Sequence, residues 1–264
     1  MNLEQLCQQV RQLTREVGLF IAQQAQDFDK AKVEHKGFND LVSYVDKEAE
    51  KRLLVRLAQL LPEAGFISEE DKNNHQLADK PYHWIVDPLD GTTNFVHQLP
   101  IFSISIALLQ EQTLVLGVVY EINRKECFYA WKNGGAYCNG LKIQVSPASQ
   151  LSDSLLATGF PYYDFDKMPQ YLAILEKFMQ QTQGLRRLGS AAVDLAYVAC
   201  GRFEGFFEYN LQPWDVAAGA LLVKEAGGEV STFSQTQGFL FGKEIVAAGN
   251  IHQPMLEVIQ QHWV

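Results

Sequence analysis

The sequence predicts a layered fold of mixed α and β structure, and three features predict it. Two early segments carry apolar residues at three- and four-residue spacing, the middle consists of short β-rich runs broken by turn residues, and the second half returns to helical periods before a late apolar strand. The chain has 264 residues, of which 47% are hydrophobic and 20% charged, as expected of a soluble globular protein with one large domain or two tightly joined ones.

Leu3, Leu6, Val10, Leu13, Val17 and Ile21 mark an opening amphipathic helix over about residues 3–27, with Asn2 as its cap. A second helix is predicted from about Ser43 to Leu61, presenting Val45, Ala49, Leu53, Leu57 and Leu60 on one face and closed by Pro62. The polar segment KVEHKGFND between them is too short for a domain linker. From Tyr82 to about Val145 the runs YHWIV, FSISIALL, LVLGVVY and ECFYA, separated by NGG and NG, predict a meandering antiparallel sheet. Helical periods return in MPQYLAILEKFMQQ, in SAAVDLAYVACG and in DVAAGALLVKEAGG, the last ended by Gly227-Gly228. GFLFGK has the wrong spacing for a phosphate loop and reads as a turn into the strand IVAAGN, after which MLEVIQQHW closes the chain as a helix.

Composition narrows the function. A net charge of -9 argues against nucleic acid as a partner, because counterion release needs clustered Lys and Arg. The doublet Arg186-Arg187 reads as a surface or dimer-edge feature. Cys7, Cys127, Cys138 and Cys200 form no C-x-x-C pair, and no histidines stand at H-x-x-x-H spacing, so zinc and disulfide readings are weak. The start of the chain lacks the basic end and apolar block of a signal peptide, and no apolar run approaches the ~18 residues of a membrane helix. A cytoplasmic protein is expected.

The acidic residues carry the chemistry. Glu69 and Glu70 in FISEED, Asp87 and Asp90 in VDPLDGT, and Asp215 in PWDVAAG all stand where regular structure begins or ends. Singly, each has a plain reading: Asp215 as a helix cap, Glu69-Glu70-Asp71 as a solvated loop, the DP and DG pairs as turn signals. Asp87 is expected to leave the sheet at the end of the strand WIV, with Pro88 fixing the turn, Gly91 freeing the backbone and Thr92 to Asn94 opening a short helical turn toward an anion. Carboxylates gathered in one cleft call for hard divalent cations, and oxygen-only ligation favours Mg²⁺ or Mn²⁺. A pair of such ions serves in-line displacement at phosphorus.

The ordered set DLVSYVDKEAE, FISEE, WIVDPLDGTTNFVH, GSAAVDLAYVACGRFEGFFE and PWDVAAGALLVKEAGG resembles the inositol monophosphatase family of lithium-sensitive, Mg²⁺-dependent phosphatases. The resemblance implies an α/β sandwich of alternating helix and sheet layers, with the cleft between an N-terminal α+β part (1–145) and a C-terminal α/β part (146–264) of one compact unit. It implies metal ligands Glu69, Asp87, the Leu89 carbonyl, Asp90 and Asp215, for two or three ions. Thr92 with Asp46 would orient and help deprotonate the attacking water, with Glu69 beside a further, weaker ion. Phosphate would be received by the Gly91 and Thr92 N–H groups. Ser190, Ala191, Glu208 and Asp215 would meet the rest of the substrate, Asp194 lies in the same segment, and Lys36 would support the metal cluster.

The implied reaction is hydrolysis of inositol 1-phosphate, with fructose 1,6-bisphosphate and 3′-phosphoadenosine phosphates as rival substrates and a non-catalytic binding module as the reading from another class. A small phosphorylated polyol or sugar is the expected partner, without nucleic acid or membrane, in a homodimer. Two departures stand out: Ser68 where the family usually has glycine, expected to restrict the backbone, and Ser43 in place of a common threonine.

Overall fold

The computed structural model describes residues 1–26, 33–37, 40–70, 80–161 and 165–263, with the side chains of 33–37 and 40–43 excepted. The first helix, α1 (Leu3–Gln26), buries Leu6, Val10, Leu13, Val17 and Ile21, and the Gln5 N–H donates to Asn2 Oδ1 at 3.1 Å as the capping preference of Asn predicts. The second helix, α2 (Tyr44–Leu60), buries Val45, Ala49, Leu53 and Leu57. The short connection between them pairs β1 (Val33–Gly37) with β2 (Asp40–Ser43) as an antiparallel hairpin.

A seven-stranded sheet follows: β3 (Gly65–Ser68), β4 (Tyr82–Asp90), β5 (Ser103–Gln110), β6 (Thr113–Glu121), β7 (Glu126–Trp131), β8 (Gly135–Cys138) and β9 (Leu141–Ile143), with α3 (Thr92–Val96) inserted after β4. The strands lie in sequence order and all neighbours are antiparallel except β3 and β4. The predicted meander is therefore present.

The rest of the chain builds a second sheet and four helices: β10 (Leu155–Thr158), α4 (Met168–Gln181), β11 (Gly184–Arg186), α5 (Ala191–Ala199), β12 (Gly205–Tyr209), α6 (Pro213–Glu225), β13 (Glu229–Ser231), β14 (Glu244–Ala248) and α7 (His252–His262). This sheet has the order β11-β10-β12-β14-β13, mixed in direction. Only β14 among its strands is predicted from the sequence. The others are three to five residues long, and β12, GFFEY, is buried along its whole length, so it shows no polar–apolar alternation. The segment GFLFGK forms a single 3₁₀ turn, Gly238–Leu240, ahead of β14.

Side-chain alternation then sorts the core into three apolar bodies and five layers. Trp84, Val86, Ile104, Ile106, Leu108 and Val118 on one face of the first sheet pack with the buried stripes of α1 and α2. Ile85, Ala107, Leu109, Val119 and Phe128 on the other face meet α5 and α6, whose far sides meet Ala157, Phe206, Ile245 and Ala247 of the second sheet. The outer face of that sheet, through Leu156, Phe207, Val246 and Ala248, is covered by α4 and α7. The pair α5 and α6 is thus buried between two sheets, and it is accordingly apolar nearly all round. No helix among the described residues is long and apolar enough to cross a membrane.

Close approach of α6 to the first sheet depends on Gly117 in β6: a Cβ there would stand 2.8 Å from the Ala218 carbonyl oxygen and 3.1 Å from its Cα. Both are backbone atoms of a buried helix, so no side chain can swing aside. Gly117→Ala is expected to destabilise the protein by about 1–3 kcal/mol through overpacking. Stiffening of the unfolded chain alone would act in the opposite direction. The midpoint of urea unfolding reads the sign directly.

Candidate active site

One irregularity in β4 creates the acidic site. Asp87 pairs with Ser105 and Asp90 with Ser103, so three steps along β4 match two along β5. One extra residue has been inserted, a β-bulge. In a regular strand, residues three apart face opposite sides of the sheet. Here the extra residue puts Asp87 and Asp90 on the same side as Ser103 and Ser105, toward the α5–α6 layer. The strand does not end at Val86, as its apolar run predicts: β4 runs through Asp90, and Asp87 lies within it. Leu89 packs its side chain into the α1–α2 core, which leaves its carbonyl near the cleft.

The two serines opposite the acids fasten the helices that complete the site. Ser105 Oγ donates to the Trp214 carbonyl at 3.1 Å, holding the start of α6 where Asp215 emerges. Ser103 Oγ lies 3.3 Å from Ser190 Oγ at the N-cap of α5, and Ser190 Oγ donates to Asp90 Oδ2 at 2.6 Å. The Ala192 N–H adds a bond to the same oxygen at 2.8 Å. Neither Ser103 nor Ser105 is among the residues predicted for the site, although the alternation SISI is the signal that could have found them.

Asp87, Asp90 and Asp215 each place a carboxylate oxygen within 4.8 Å of the others'. Asp215 is also part of a cap, but at the third helical position: the cap residue is Gln212, whose N–H donates to Asp215 Oδ2 at 2.6 Å. The cap contact uses one oxygen, and a carboxylate has acceptor sites to spare. Glu69 follows β3 and lies within hydrogen-bonding reach of Asp87. The Glu70 N–H donates to the buried Glu50 carboxylate at 2.9 Å, fixing this loop on α2. Asp71 lies outside the described residues.

Beside the acids, Thr92 Oγ1 lies 2.9 Å from Asp46 Oδ1 and 3.1 Å from the Leu89 carbonyl oxygen. Asp46 is fully buried. Gly91, at φ 98°, turns the chain from the bulge into α3, a left-handed conformation that favours glycine. Asn94 donates from Nδ2 to the Ile101 and Leu188 carbonyls, both at 2.8 Å, and so ties α3 to the segment before α5. Near Asp90 lie the buried residues Ser190, Ala191, Asp194 and Glu208.

Four sequence expectations need revision or fall outside the described residues. Arg187 is not a plain surface cation: it is half-buried, and its charge reaches Asp90, Asp194 and Glu208, where it favours ionisation. Spacing in the sequence does not show this proximity to the acids. Ser68 ends β3 opposite Val86 and is not among the positive-φ residues, so serine imposes no backbone strain there. The side chains of Lys36 and Ser43 lie outside the described residues.

Electrostatics decide what the cleft can hold. Two unit charges 4.8 Å apart repel by roughly 3.5 kcal/mol at an effective dielectric of 20. Burial first, then Glu69, Asp90 and Asp215, push the Asp87 carboxyl well above its usual range. Burial raises Asp90 to about 6, against the opposing bonds from Ser190, Ala192 and Ala191. Burial and Asp90 raise Asp215 to about 7, against the Gln212 N–H. The cluster thus retains protons at the positions where a cation would otherwise serve. All its donors are oxygens, the set that hard divalent ions prefer, so the residues fit such a metal.

The inositol monophosphatase family pattern matches residues 2–263. The chain belongs to that family. A Nus factor SuhB of Escherichia coli (strain K12) is 42% identical over 233 residues, covering 88% of this chain and 87% of that protein. The structure of an IMPase from Thermotoga maritima superposes with a TM-score of 0.86 at 36% identity, covering 96% of this chain and 95% of the other. A dual specific IMPase/NADP phosphatase bound with D-inositol-1-phosphate superposes with a TM-score of 0.84 at 25% identity, covering 98% and 96%. Family membership implies use of a divalent metal, in accord with the acid cluster.

The raised carboxyls give a signed prediction. An acid with a raised folded-state pKa stabilises the metal-free protein fully below its unfolded value of 3.8, and that contribution is lost as pH rises through about 6 for Asp90 and about 7 for Asp215. A divalent cation held by these carboxylates would take the place of the protons. Its stabilisation, read as the shift in melting temperature on adding Mg²⁺, is expected to be small at pH 5 and to grow up to pH 8; a shift independent of pH contradicts the assignment.

Proposed function

We propose that the chain is a metal-dependent phosphatase that hydrolyses inositol 1-phosphate, and that Glu69, Asp87, the Leu89 carbonyl, Asp90 and Asp215 hold Mg²⁺ for it. The single observation that carries this reading is the convergence of Asp87, Asp90 and Asp215 beside the Thr92–Asp46 pair. When bound, the metal supplies Lewis-acid activation of water and neutralises charge on the phosphate.

The protein's own groups do the rest. Asp46 Oδ1 accepts the Thr92 hydroxyl proton, which leaves Thr92 Oγ1 with lone pairs for a hydrogen of the attacking water; the proton then passes through Thr92 to Asp46. The Gly91 and Thr92 N–H groups, at the start of α3, receive phosphate oxygens and orient the ester for in-line attack. Glu208 and the Ser190–Ala191 turn meet the polyol, whose hydroxyls a carboxylate can accept in pairs. Lys36 is assigned a supporting role near the metals on resemblance alone.

An inositol phosphate suits this site because the groups beyond the metals are hydroxyl acceptors, and a family relative has been solved with D-inositol-1-phosphate. Fructose 1,6-bisphosphate and 3′-phosphoadenosine phosphates are the alternatives a substrate panel must include. Homodimerisation, lithium sensitivity and a cytoplasmic location are further family-based expectations. The E. coli relative's designation as a Nus factor supports a second reading, a part in transcription alongside or in place of catalysis.

Asp90→Asn is expected to lower Mg²⁺-dependent phosphate release from inositol 1-phosphate by at least about a hundredfold, since even changes around metal ligands cost 10–100-fold. Thr92→Ala is expected to lower kcat by about 10²–10⁴ with little change in KM. Turnover that survives EDTA, or a phosphorylated Asp87 after quenching, would overturn the direct-water mechanism. If Asp90→Asn still substitutes for a Nus factor in a transcription assay, the two roles are separable.

A further inference from the structure

Next to the proposed metal centre stands a buried acid for which neither the metal ligands nor the Thr92–Asp46 pair has a use. Asp194 lies in the first turn of α5, with 1% of its surface exposed, and its Oδ1 has no hydrogen-bond partner among the described residues. Leaving such an acceptor unpaired is costly, so a donor that reaches it gains a bond the free protein lacks. The charged groups around it are all site groups: Glu208 first, then Asp90, with Arg187 as the cation.

Glu208 is enclosed in a way that leaves it few directions. Its carboxylate presses on Gly159, where a Cβ would come within 2.0 Å of Oε1, and its charge is felt by the fully buried Tyr171 behind it. The carboxylate is also near Asp215, on the cleft side. Asp194 and Glu208 therefore sit together near Asp90, with Asp194 one helical turn after Ser190, whose hydroxyl bonds Asp90.

We propose that Asp194 is a second hydroxyl-binding residue, which with Glu208 forms a two-acid floor for a leaving group bearing neighbouring hydroxyls. The inference rests on the phosphatase reading and narrows its substrate to polyol monophosphates. A hydroxyl is the matching partner because it both donates and accepts, so it pairs with a carboxyl in either protonation state. An aryl or simple alkyl phosphate offers nothing to this floor and leaves Asp194 Oδ1 unpaired.

The test compares wild type, Asp194→Leu and Asp194→Asn on inositol 1-phosphate and on p-nitrophenyl phosphate, which lacks the hydroxyls. Losing one buried hydrogen bond corresponds to about tenfold. Asp194→Leu is expected to raise KM for inositol 1-phosphate by about tenfold with kcat nearly unchanged, and to leave p-nitrophenyl phosphate hydrolysis as it was. Asp194→Asn, which keeps a carbonyl acceptor, is expected to recover most of the loss. If the leucine does not fold, Asp194→Ala replaces it.

Equal losses on both substrates or no change in KM would overturn the proposal. Calorimetric titration of inositol 1-phosphate into the Ca²⁺-loaded proteins keeps it apart from the phosphatase reading. A wild type that turns over neither substrate but binds inositol 1-phosphate more tightly than Asp194→Leu refutes catalysis and supports the floor. Hydrolysis of the aryl phosphate without binding of inositol 1-phosphate does the reverse.

Discussion

The constraint on which this protein depends is the mutual repulsion of carboxylates that its fold forces together. A bulge in β4 turns Asp87 and Asp90 to one side of the sheet, and the N-terminal turn of α6 delivers Asp215 to the same point. None of these elements could hold its acid there unaided. The layer of α5 and α6 is clamped between two sheets, so the acids cannot draw apart without opening an apolar core. Proteins accept such frustration where function needs it and compensate in the surroundings.

The compensation is visible in the hydrogen bonds. Asp90 receives the Ser190 hydroxyl and the Ala192 N–H, and Asp215 receives the Gln212 N–H. The Leu89 N–H folds back on Asp87 at 2.9 Å. These donors favour the charged forms but do not outweigh burial, since all three carboxyls remain raised. The balance is suited to a site that exchanges protons for a divalent cation. Were the donors stronger the cluster would be a self-sufficient network; were they weaker the acids would stay protonated and bind metal poorly.

Much of this is legible in the residue pattern. The apolar stripe of α1, the meander and the apolar helix of α6 follow from periodicity, because each buries a face or a whole surface against one neighbouring layer. The acid set is legible as a set through the family resemblance, yet Asp215 by itself reads as a cap, and it is part of one. Most strands of the second sheet are not legible. Helices cover both their faces, they are short, and nothing alternates along GFFEY to mark a strand. Arg187 departs from its expected surface position for a related reason: two adjacent arginines look alike in a sequence, and only the fold turns one toward the acids and leaves Arg186 exposed.

The sequence by itself determined the local chemistry: which oxygen-bearing side chains exist, that Pro88 and Gly91 stand beside the two aspartates, and which helix faces are apolar. These depend on residue type and short-range geometry, where spacing carries the information. Tertiary structure alone decided the facing and the company of those groups. It placed Asp87 and Asp90 on one side, set Ser103 and Ser105 to pin α5 and α6, and left Asp194 Oδ1 buried without a donor among the described residues. A one-residue bulge reverses the side a residue faces, and the contacts that hold it span a hundred residues or so of chain, as between Asp90 and Ser190. No local pattern encodes either.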